Sequence, residues 1–533
     1  MNFNDYKRKV AGCWAGKNAG GVLGAPFEGK RQMNRVEFYT QDLSMGPPPN
    51  DDLDLQIIWL AAAERYGRNV NAMILGEYWL SYVIPNWVEY GMGKANLRNG
   101  VLPPMSGYMN NAYRNSCGCF IRSEIWACLA PGHPDIAARY AYEDGIVDHA
   151  GEGVYGEVFC AAVQSAAFAE EEIPDLISIG LSYIPEGCAV ARCVKAACSC
   201  YEEKLPFDEA RKCVHQTAPG TFGIQNLTNS EIERLVREEE LDIGEPGFDA
   251  PENIGFMILG WLYGEGDFGK SLCLAVNCGE DTDCTAATLG ALLGILSGID
   301  GIPDKWLEPI NDKIVTLCIN KTEGGIWIPD TVTELTHRVA AQMPAFLGSA
   351  YCKMEQDGDY TIYCKKGMEL RADSCETYME NTNGGGKDQR LNVKELCLLS
   401  PFVVRYDFPA FWMAIDYLEE PYFEKGKKRR FRVTVVNGME MHEQQWVSIR
   451  LYLPRDISCK GASCVRLPLN NLWGSKAEKE FELDLENYDG EKAELMVQVS
   501  LIGRHSRGSA EIIFSKNDRG IWWKAWTNIW RIA

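Results

Sequence analysis

The sequence predicts an all-α domain over residues 1–345, followed by an all-β, antiparallel sandwich-like domain over residues 346–533. The chain has 533 residues, which is too long for one ordinary hydrophobic core. Its first part carries apolar residues at three- and four-residue spacing, the period of an amphipathic helix. Its last part alternates apolar and polar residues in short runs, the period of a half-buried strand. The change of period after MPAFLGSAYC predicts the domain boundary near residue 345.

The helical segments share apolar faces on which Ala and Gly recur. Small residues on a helix face let two helix axes approach closely. We therefore expect a compact helical domain with long loops between its helices. The segments with this pattern are LDLQIIWLAAAERYG, GVYGEVFCAAVQSAAFAEEE, CAVARCVKAACSCYEEK, NIGFMILGWLYG and TAATLGALLGILSGI.

The strand-like segments are rich in Val, Ile, Tyr and Phe, and they are bounded by Asn-Gly, Asp-Gly and Pro. Several short strands at such spacing are typical of a sandwich. We interpret residues 380–390 as a loop, and the Trp-rich residues 520–533 as packing between the two domains. The strand-like segments are DYTIYCKKGMEL, RFRVTVVNGMEM, QQWVSIRLYLP, KEFELDLENY, AELMVQVSLIG and SAEIIFSK.

Composition excludes several classes of function. The formal net charge of −21 disfavours nucleic-acid binding through a broad basic surface. The first residues, MNFNDYKRKVAGCWAGK, carry charges where a signal peptide needs an apolar region. No run reaches the roughly 18 apolar residues of a membrane span. The sequence therefore predicts a cytoplasmic protein without membrane contact, and it leaves the oligomeric state open.

Twenty cysteines are scattered through apolar helical stretches. Without an export signal, such cysteines are expected to be reduced, buried thiols that pack as small hydrophobic groups. The densest group, residues 188–200, has no paired CxxC spacing, so we expect no zinc site there.

Two acidic segments, residues 47–60 and 277–284, begin apolar helices. Helix capping accounts for one polar side chain at each start. Several neighbouring carboxylates repel one another, however, and are costly to bury unless a cation binds them. A divalent cation shared by both segments is therefore expected, and oxygen ligands fit Mg²⁺, Ca²⁺ or Mn²⁺ rather than Zn²⁺. The side chains concerned are Asn50, Asp51, Asp52, Asp54, Glu280, Asp281 and Asp283.

Two further segments stand out. GKNAGGVLGAPFEGK, residues 16–30, is rich in glycine and ends near Glu28, but it lacks the Gly-Lys-Ser/Thr ending of a phosphate-binding loop. In EDGIVDHAGEGVYGEVF, residues 143–159, His149 lies among carboxylates. For residues 16–30 the structural alternative to a functional role is a tight turn, and for residues 143–159 it is a helix cap.

Five segments, in this order, resemble motifs of the ADP-ribosylglycohydrolase family, which includes the dinitrogenase-reductase-activating glycohydrolases. The resemblance covers roughly residues 8–340 and extends to LGALLGILSGIDGIPDKW. It implies an all-α fold, a binuclear Mg²⁺ centre, and hydrolysis at the anomeric carbon of a small ADP-ribosyl or sugar substrate. The segments are GGVLGAPFE (20–28), NDDLD (50–54), SCGCFIR (116–122), DH (148–149) and GEDTDC (279–284).

The resemblance also implies roles for individual residues. Asp283 is expected to contact both cations, and Glu28 to act as a gate or general acid/base, with Asp52 or Glu28 handling the attacking water. The implied metal ligands are Asn50, Asp51, Asp52, Asp281 and Asp283. The implied substrate-contacting residues are Ser116, Gly118, Arg122 and His149, with residues 222–224 and 253–256 expected to line the pocket.

The sequence departs from the family pattern at four positions. Asn50 and Leu53 stand where the family has Thr, Gly21 where it has Asp, and Cys284 where it has the final Thr of the last motif. A thiol is a poor ligand for Mg²⁺. The number of cations and the exact substrate therefore stay open. The alternatives are a glycoside hydrolase of the same fold acting on another sugar, and a non-catalytic ligand-binding relative.

Overall fold

The computed structural model describes residues 1–222, 228–238, 240–321, 325–372, 392–424, 426–437, 444–469, 476–485 and 487–516. The chain forms two compact units. The first comprises Met1–Ser374 and Asn392–Leu398, and the second comprises Cys375–Leu391 and Leu399–Ala533. The boundary near residue 345 stays a prediction, and the predictions for residues 380–390 and 520–533 fall outside the described residues.

The first unit is mostly helical, with one small antiparallel sheet of strands β1 (Cys352–Met354) and β2 (Tyr360–Ile362). Its helices are α1 (Phe3–Gly24), α2 (Asp51–Tyr66), α3 (Ala72–Tyr82), α4 (Val88–Arg98), α5 (Met105–Tyr108), α6 (Glu124–Leu129), α7 (Pro134–Gly145), α8 (Glu152–Ala166), α9 (Ile173–Ser182), α10 (Ala189–Glu202), α11 (Phe207–Thr217), α12 (Asn229–Glu238), α13 (Ala250–Gly264), α14 (Phe268–Asn277), α15 (Thr282–Ser297), α16 (Asp304–Leu307), α17 (Val332–Leu347) and α18 (Val393–Cys397). Among the described residues, no helix combines the length and the apolar character needed to cross a membrane.

Helices α1 and α15 form the closest helix pair of this unit. They run antiparallel, and a Cβ atom added at Gly16 would lie 2.0 Å from the carbonyl oxygen of Gly290. A Cβ at Gly20 would lie equally close, 2.0 Å, to the carbonyl oxygen of Ala286. The two backbones therefore touch, as the small residues on these helix faces predict. This contact fixes the beginning of α15 next to the end of α1.

The second unit contains two five-stranded sheets, with strand orders β3-β4-β6-β10-β8 and β5-β12-β11-β7-β9. All pairs are antiparallel except β5 with β12. The strands are β3 (Val403–Phe408), β4 (Phe411–Asp416), β5 (Tyr422–Phe423), β6 (Arg429–Asn437), β7 (Gln445–Tyr452), β8 (Ser458–Cys459), β9 (Cys464–Leu469), β10 (Lys476–Asp484), β11 (Lys492–Leu501) and β12 (Arg507–Lys516).

The two sheets of the second unit share a core of alternating inward-facing residues. In β11 every second residue is buried, beginning with Ala493. Phe431 of β6 and Phe514 of β12 come from different sheets, and their ring centroids lie 6.2 Å apart. Alternation with facing aromatic side chains is what a sandwich requires. The predicted helical domain and antiparallel β region are therefore both present.

The cysteines follow the prediction for a reduced protein. Every cysteine that the structure describes is a free thiol, and most of them are buried. They lie mainly in helices of the first unit, where they pack among apolar side chains.

Candidate metal centre and active site

The beginnings of α2 and α15 meet at one end of the α1–α15 pair. Asn50 precedes α2, and its Oδ1 accepts a hydrogen bond of 2.8 Å from the backbone N–H of Asp52. Thr282 begins α15, and its hydroxyl donates to the carbonyl oxygen of Gly24 at the end of α1. Two acidic helix starts, at residues 51 and 282, are thus held side by side by helix packing although they are far apart in sequence.

A cleft with a volume of about 380 Å³ opens above these helix starts. Glu28 is exposed at its rim, and Asp51 and Asp283 belong to its lining. The turn before α15 holds the segment that carries Glu28, because the backbone N–H of Glu280 donates to the carbonyl oxygen of Lys30 and the carbonyl oxygen of Glu280 accepts from the N–H of Gly29. The lining residues are Gly21, Val22, Ala25, Glu28, Pro48, Pro49, Asn50, Asp51, Trp87, Asp283 and Leu317.

Three aspartates beneath the cleft are buried with unpaired oxygens. Asp52, Asp281 and Asp283 are 0%, 3% and 7% exposed. Asp52 Oδ2, Asp281 Oδ1 and Asp283 Oδ1 have no hydrogen-bond partner. Burial is the main cause that raises the pKa of the Asp52 and Asp281 carboxyls well above the usual range. Buried carboxylates without partners are strongly unfavourable unless a cation binds them.

At the starts of α2 and α15, two sets of three side chains place potential ligand atoms within 4.8 Å of one another: Asp52, Asp283 and Cys284, and Glu28, Asp281 and Asp283. Asp283 belongs to both sets. The sequence-based expectation that Asp283 contacts two cations stays a prediction. The unpaired carboxylate oxygens fit divalent cations, so the residues present suit the metal centre that the sequence resemblance implies.

Nearby charges support the same interpretation. The charge of Asp283, and then the partial desolvation of this carboxyl at the cleft rim, raises the pKa of Glu28 to about 8. Burial, and then the charge of Asp283, raises the pKa of Asp51 to about 6. Lys17 lies close enough to favour the ionised form of Asp52, but its ammonium group forms a buried ion pair with Glu124 at 3.1 Å. Lys17 therefore does not neutralise the whole cluster.

Two carboxylates that the sequence grouped with the cluster point away from it. Asp54 accepts hydrogen bonds from the backbone N–H groups of Leu317 and Cys318, so it holds the loop above α2. Glu280 has a φ of +66° and forms a buried ion pair of 2.8 Å with Arg31. Neither Asp54 nor Glu280 is among the predicted metal ligands, and that ligand set of Asn50, Asp51, Asp52, Asp281 and Asp283 stays a prediction.

Ser116 and His149 lie together beside the cleft, but both are buried. Ser116 Oγ is 3.1 Å from His149 Nε2, and His149 Nδ1 is 3.0 Å from an oxygen of Asp148. His149 is 0% exposed, and burial lowers its pKa, while the neighbouring Asp148 acts in the opposite direction. The structure brings together these two predicted substrate-contacting residues, but both are buried and neither is among the residues that line the cleft.

Arg122 is also fully buried. Its guanidinium group forms ion pairs with Asp144 at 2.9 Å and with Asp148, and its Nη1 donates to the carbonyl oxygen of Gly118. The side chain also lies over the ring of Trp79, 5.1 Å from the centroid. A direct bond from Arg122 to a substrate phosphate would require breaking these contacts. The arrangement instead fits a residue that shapes the 116–122 loop.

Two neighbours of the site were missed by sequence reasoning. Glu89 is buried, and its Oε2 has no hydrogen-bond partner. A Cβ atom at Gly118 would lie 2.1 Å from Glu89 Oε1, so this glycine makes room for the carboxylate. Trp87 is 47% exposed and lines the cleft. A single Glu and a single Trp at the beginning of α4 carry no spacing signal that could have identified them.

Other residues position the two helix starts. Asn253, in a segment predicted to line the pocket, accepts a hydrogen bond of 3.1 Å from the backbone N–H of Asp281. Residues 223 and 224, predicted likewise, fall outside the described residues. A Cβ atom at Gly21 would lie 1.9 Å from Asn50 Nδ2. Gly21 and Asn50, two departures from the family pattern, therefore depend on each other: the amide occupies the space that a larger residue 21 would fill.

Comparison with known proteins agrees with this geometry. A family model described as ADP-ribosylglycohydrolase matches residues 2–344. The chain is 24% identical over 324 residues to an uncharacterized protein of Archaeoglobus fulgidus, covering 58% of this chain and 93% of that protein. It is 37% identical over 49 residues to the ADP-ribosylarginine hydrolase Tri1 of Pseudomonas putida, covering 9% of this chain and 13% of that protein. Because the family model matches well over half of the sequence, this chain belongs to the ADP-ribosylglycohydrolase family.

Proposed function

We propose that this protein is a metal-dependent hydrolase that cleaves a glycosidic bond at the anomeric carbon of ADP-ribose or a related ribosyl substrate. Family membership supports hydrolysis of ADP-ribose-like compounds. The observation that supports metal dependence is that Asp52, Asp281 and Asp283 each have a buried oxygen without a hydrogen-bond partner. A cation is the simplest group that makes such an arrangement stable.

The proposed ligands are oxygens from the two helix starts, with Mg²⁺ as the expected ion and Ca²⁺ or Mn²⁺ as alternatives. When bound, divalent cations supply Lewis acidity and positive charge beside the ribose hydroxyls and the attacking water. The side chains that would hold them are Asn50, Asp51, Asp52, Asp281 and Asp283.

Glu28 and Asp52 are the proposed catalytic carboxylates, and their burial distinguishes their roles. Hydrolysis adds the oxygen of water to the anomeric carbon, and the leaving group takes a proton. Glu28 lies at the exposed rim, where it can accept a proton from water or deliver one to the leaving group. Asp52 is 0% exposed, which favours a ligand role over direct contact with water. Carboxylates around the cleft also stabilise an oxocarbenium-like transition state.

One exposed side chain is proposed to contact the substrate, and a group of buried residues is proposed to support the contacting surface. Trp87 offers an exposed aromatic face at the cleft, suited to stacking on a sugar or base. Ser116, Gly118, Arg122 and His149 form the buried group. We propose that this group orients the loop surface that faces the substrate.

The test is an activity assay on the purified chain with ADP-ribosylated arginine, ADP-ribosylated serine and free ADP-ribose derivatives, with and without added Mg²⁺. We expect turnover that requires the metal and that is lost in Asp281→Asn and Asp283→Asn. Asp208→Asn is a matched control, because Asp208 is an exposed acid in the first turn of α11. Full activity in the two site variants would reject the proposed centre.

A second candidate is a hydrolase of the same fold that acts on another sugar. The departures at Gly21, Asn50 and Cys284 favour it, because they alter the surroundings of the metal centre. A parallel panel of furanosides and pyranosides separates the two candidates. Ligand binding without turnover of any compound would instead indicate a non-catalytic relative.

A further inference from the structure

Cys284 lies at a position where it can bind a cation together with two carboxylates. It is in the first turn of α15, directly after Asp283. Its Sγ is 3.6 Å from Asp52 Oδ1, and potential ligand atoms of Asp52, Asp283 and Cys284 lie within 4.8 Å of one another. Among the described cysteines, Cys284 is the one found in a cluster of three potential metal ligands.

The carboxylates of this cluster need a partner that the protein itself does not supply. Asp52 Oδ2 and Asp283 Oδ1 are buried without a hydrogen-bond partner. The Cys284 thiol donates only a weak hydrogen bond to the other oxygen of Asp52. A cation between these three side chains would supply a positive charge to both buried carboxylates and stabilise the thiolate form of the cysteine.

The chemistry of the donor set determines which cation fits. Carboxylate and carbonyl oxygens suit Mg²⁺, Ca²⁺ and Mn²⁺, whereas thiolate selects softer or borderline ions such as Zn²⁺. One thiolate and two carboxylates form a donor set of sulfur and oxygen ligands, and Zn²⁺ accepts both kinds of ligand, as does Co²⁺. Glu28, Asp281 and Asp283 form the neighbouring set, which contains oxygen donors alone.

We propose that Asp52, Asp283 and Cys284 form a thiolate-containing cation site that prefers Zn²⁺-class ions over Mg²⁺, next to an oxygen-only site at Asp281 and Asp283. The inference rests on the proposed function, because it assumes that the carboxylates of the cleft bind cations. It differs from that function in assigning different ions to the two sites. Cys284 is then a metal ligand and not a packing residue.

Co²⁺ is the spectroscopic probe for this site, because thiolate bound to Co²⁺ gives a charge-transfer absorption in the near ultraviolet that oxygen ligands do not give. The full chain is freed of metal and titrated with Co²⁺, and then with Zn²⁺ and Mg²⁺ as competitors. We expect one equivalent of thiolate-bound Co²⁺ that Zn²⁺ displaces and Mg²⁺ does not. In Cys284→Ser the absorption should disappear, and Zn²⁺ affinity should fall by roughly tenfold or more.

Cys198→Ser is the matched control, since Cys198 is another half-buried helical cysteine outside the cleft, and it should leave the absorption unchanged. If Cys284→Ser fails to fold, Cys284→Thr provides the same comparison. The proposal is overturned if the wild-type chain gives no thiolate absorption, or if the absorption persists in the Cys284 variants. If Mg²⁺-dependent turnover continues in that case, the proposed function stands and only the thiolate site is rejected; absence of any cation binding by the folded chain overturns both.

Discussion

Asp283→Asn should stabilise the metal-free protein while removing its response to metal. Asp283 is 7% exposed, and its carboxylate lies within 4.8 Å of ligand atoms of Asp281 and Glu28. Two unit charges at that distance repel by about 3.5 kcal/mol at an effective dielectric constant of about 20. Solvent weakens the repulsion between Asp283 and Glu28, because Glu28 is exposed. Because crowded carboxyl groups also retain protons, we expect a net gain of about 1–3 kcal/mol in the free energy of unfolding.

The assay is thermal unfolding of wild type and variant, in chelator and across a range of Mg²⁺ concentrations. Wild type should gain about 2.7 kcal/mol at 100 times its dissociation constant, whereas Asp283→Asn should gain little. The two stability curves therefore cross as Mg²⁺ increases. Asp208→Asn should follow the wild-type curve. The electrostatic reasoning is refuted if Asp283→Asn destabilises the metal-free chain, or if its metal-induced shift equals that of wild type.

Two further predictions concern packing and pH. Gly16→Ala places a Cβ 2.0 Å from the carbonyl oxygen of Gly290, so overpacking should outweigh the gain in helix propensity and cost about 2 kcal/mol or more, measured by chemical denaturation. Gly187→Ala, with nothing within 4 Å, should change stability by less than about 0.5 kcal/mol; equal effects would contradict the close contact. Burial lowers the pKa of Lys94, which donates to carbonyls of residues 83–85, to about 8. Above pH 8 the folded state then binds fewer protons than the unfolded state. The stability of wild type relative to Lys94→Met should therefore rise between about pH 8 and about pH 10.5, by at most about 3 kcal/mol. A stability difference that does not change with pH would disprove this.

The family and the two kinds of architecture could be predicted from the sequence. The ADP-ribosylglycohydrolase family was predicted from the order of the glycine-rich segment, the two acidic helix starts and the loop between them. The match of the family model to residues 2–344 confirms this prediction. The helical and strand periods also predicted the two kinds of architecture correctly. These features are local, because each depends on residues only a few positions apart.

The roles of individual side chains were less predictable. Asp52 and Asp54 are two positions apart on one helix, yet Asp52 faces the cluster and Asp54 binds the backbone of residues 317–318. Glu280 and Asp281 are adjacent, yet the left-handed backbone at Glu280 directs its carboxylate to Arg31. Charge alone does not separate the two members of either pair, and only the resemblance to the family left Asp54 and Glu280 out of the implied metal ligands.

The sequence by itself determined the helical periods, the glycine-rich faces of α1 and α15, and the acidic starts of α2 and α15. Only the tertiary structure decided that Arg122 is buried in ion pairs, and that Cys284 lies against Asp52. The physical reason is that the direction of a side chain at a helix start depends on what packs against that end. Those neighbours come from segments far away in the chain, and the fold alone brings them together.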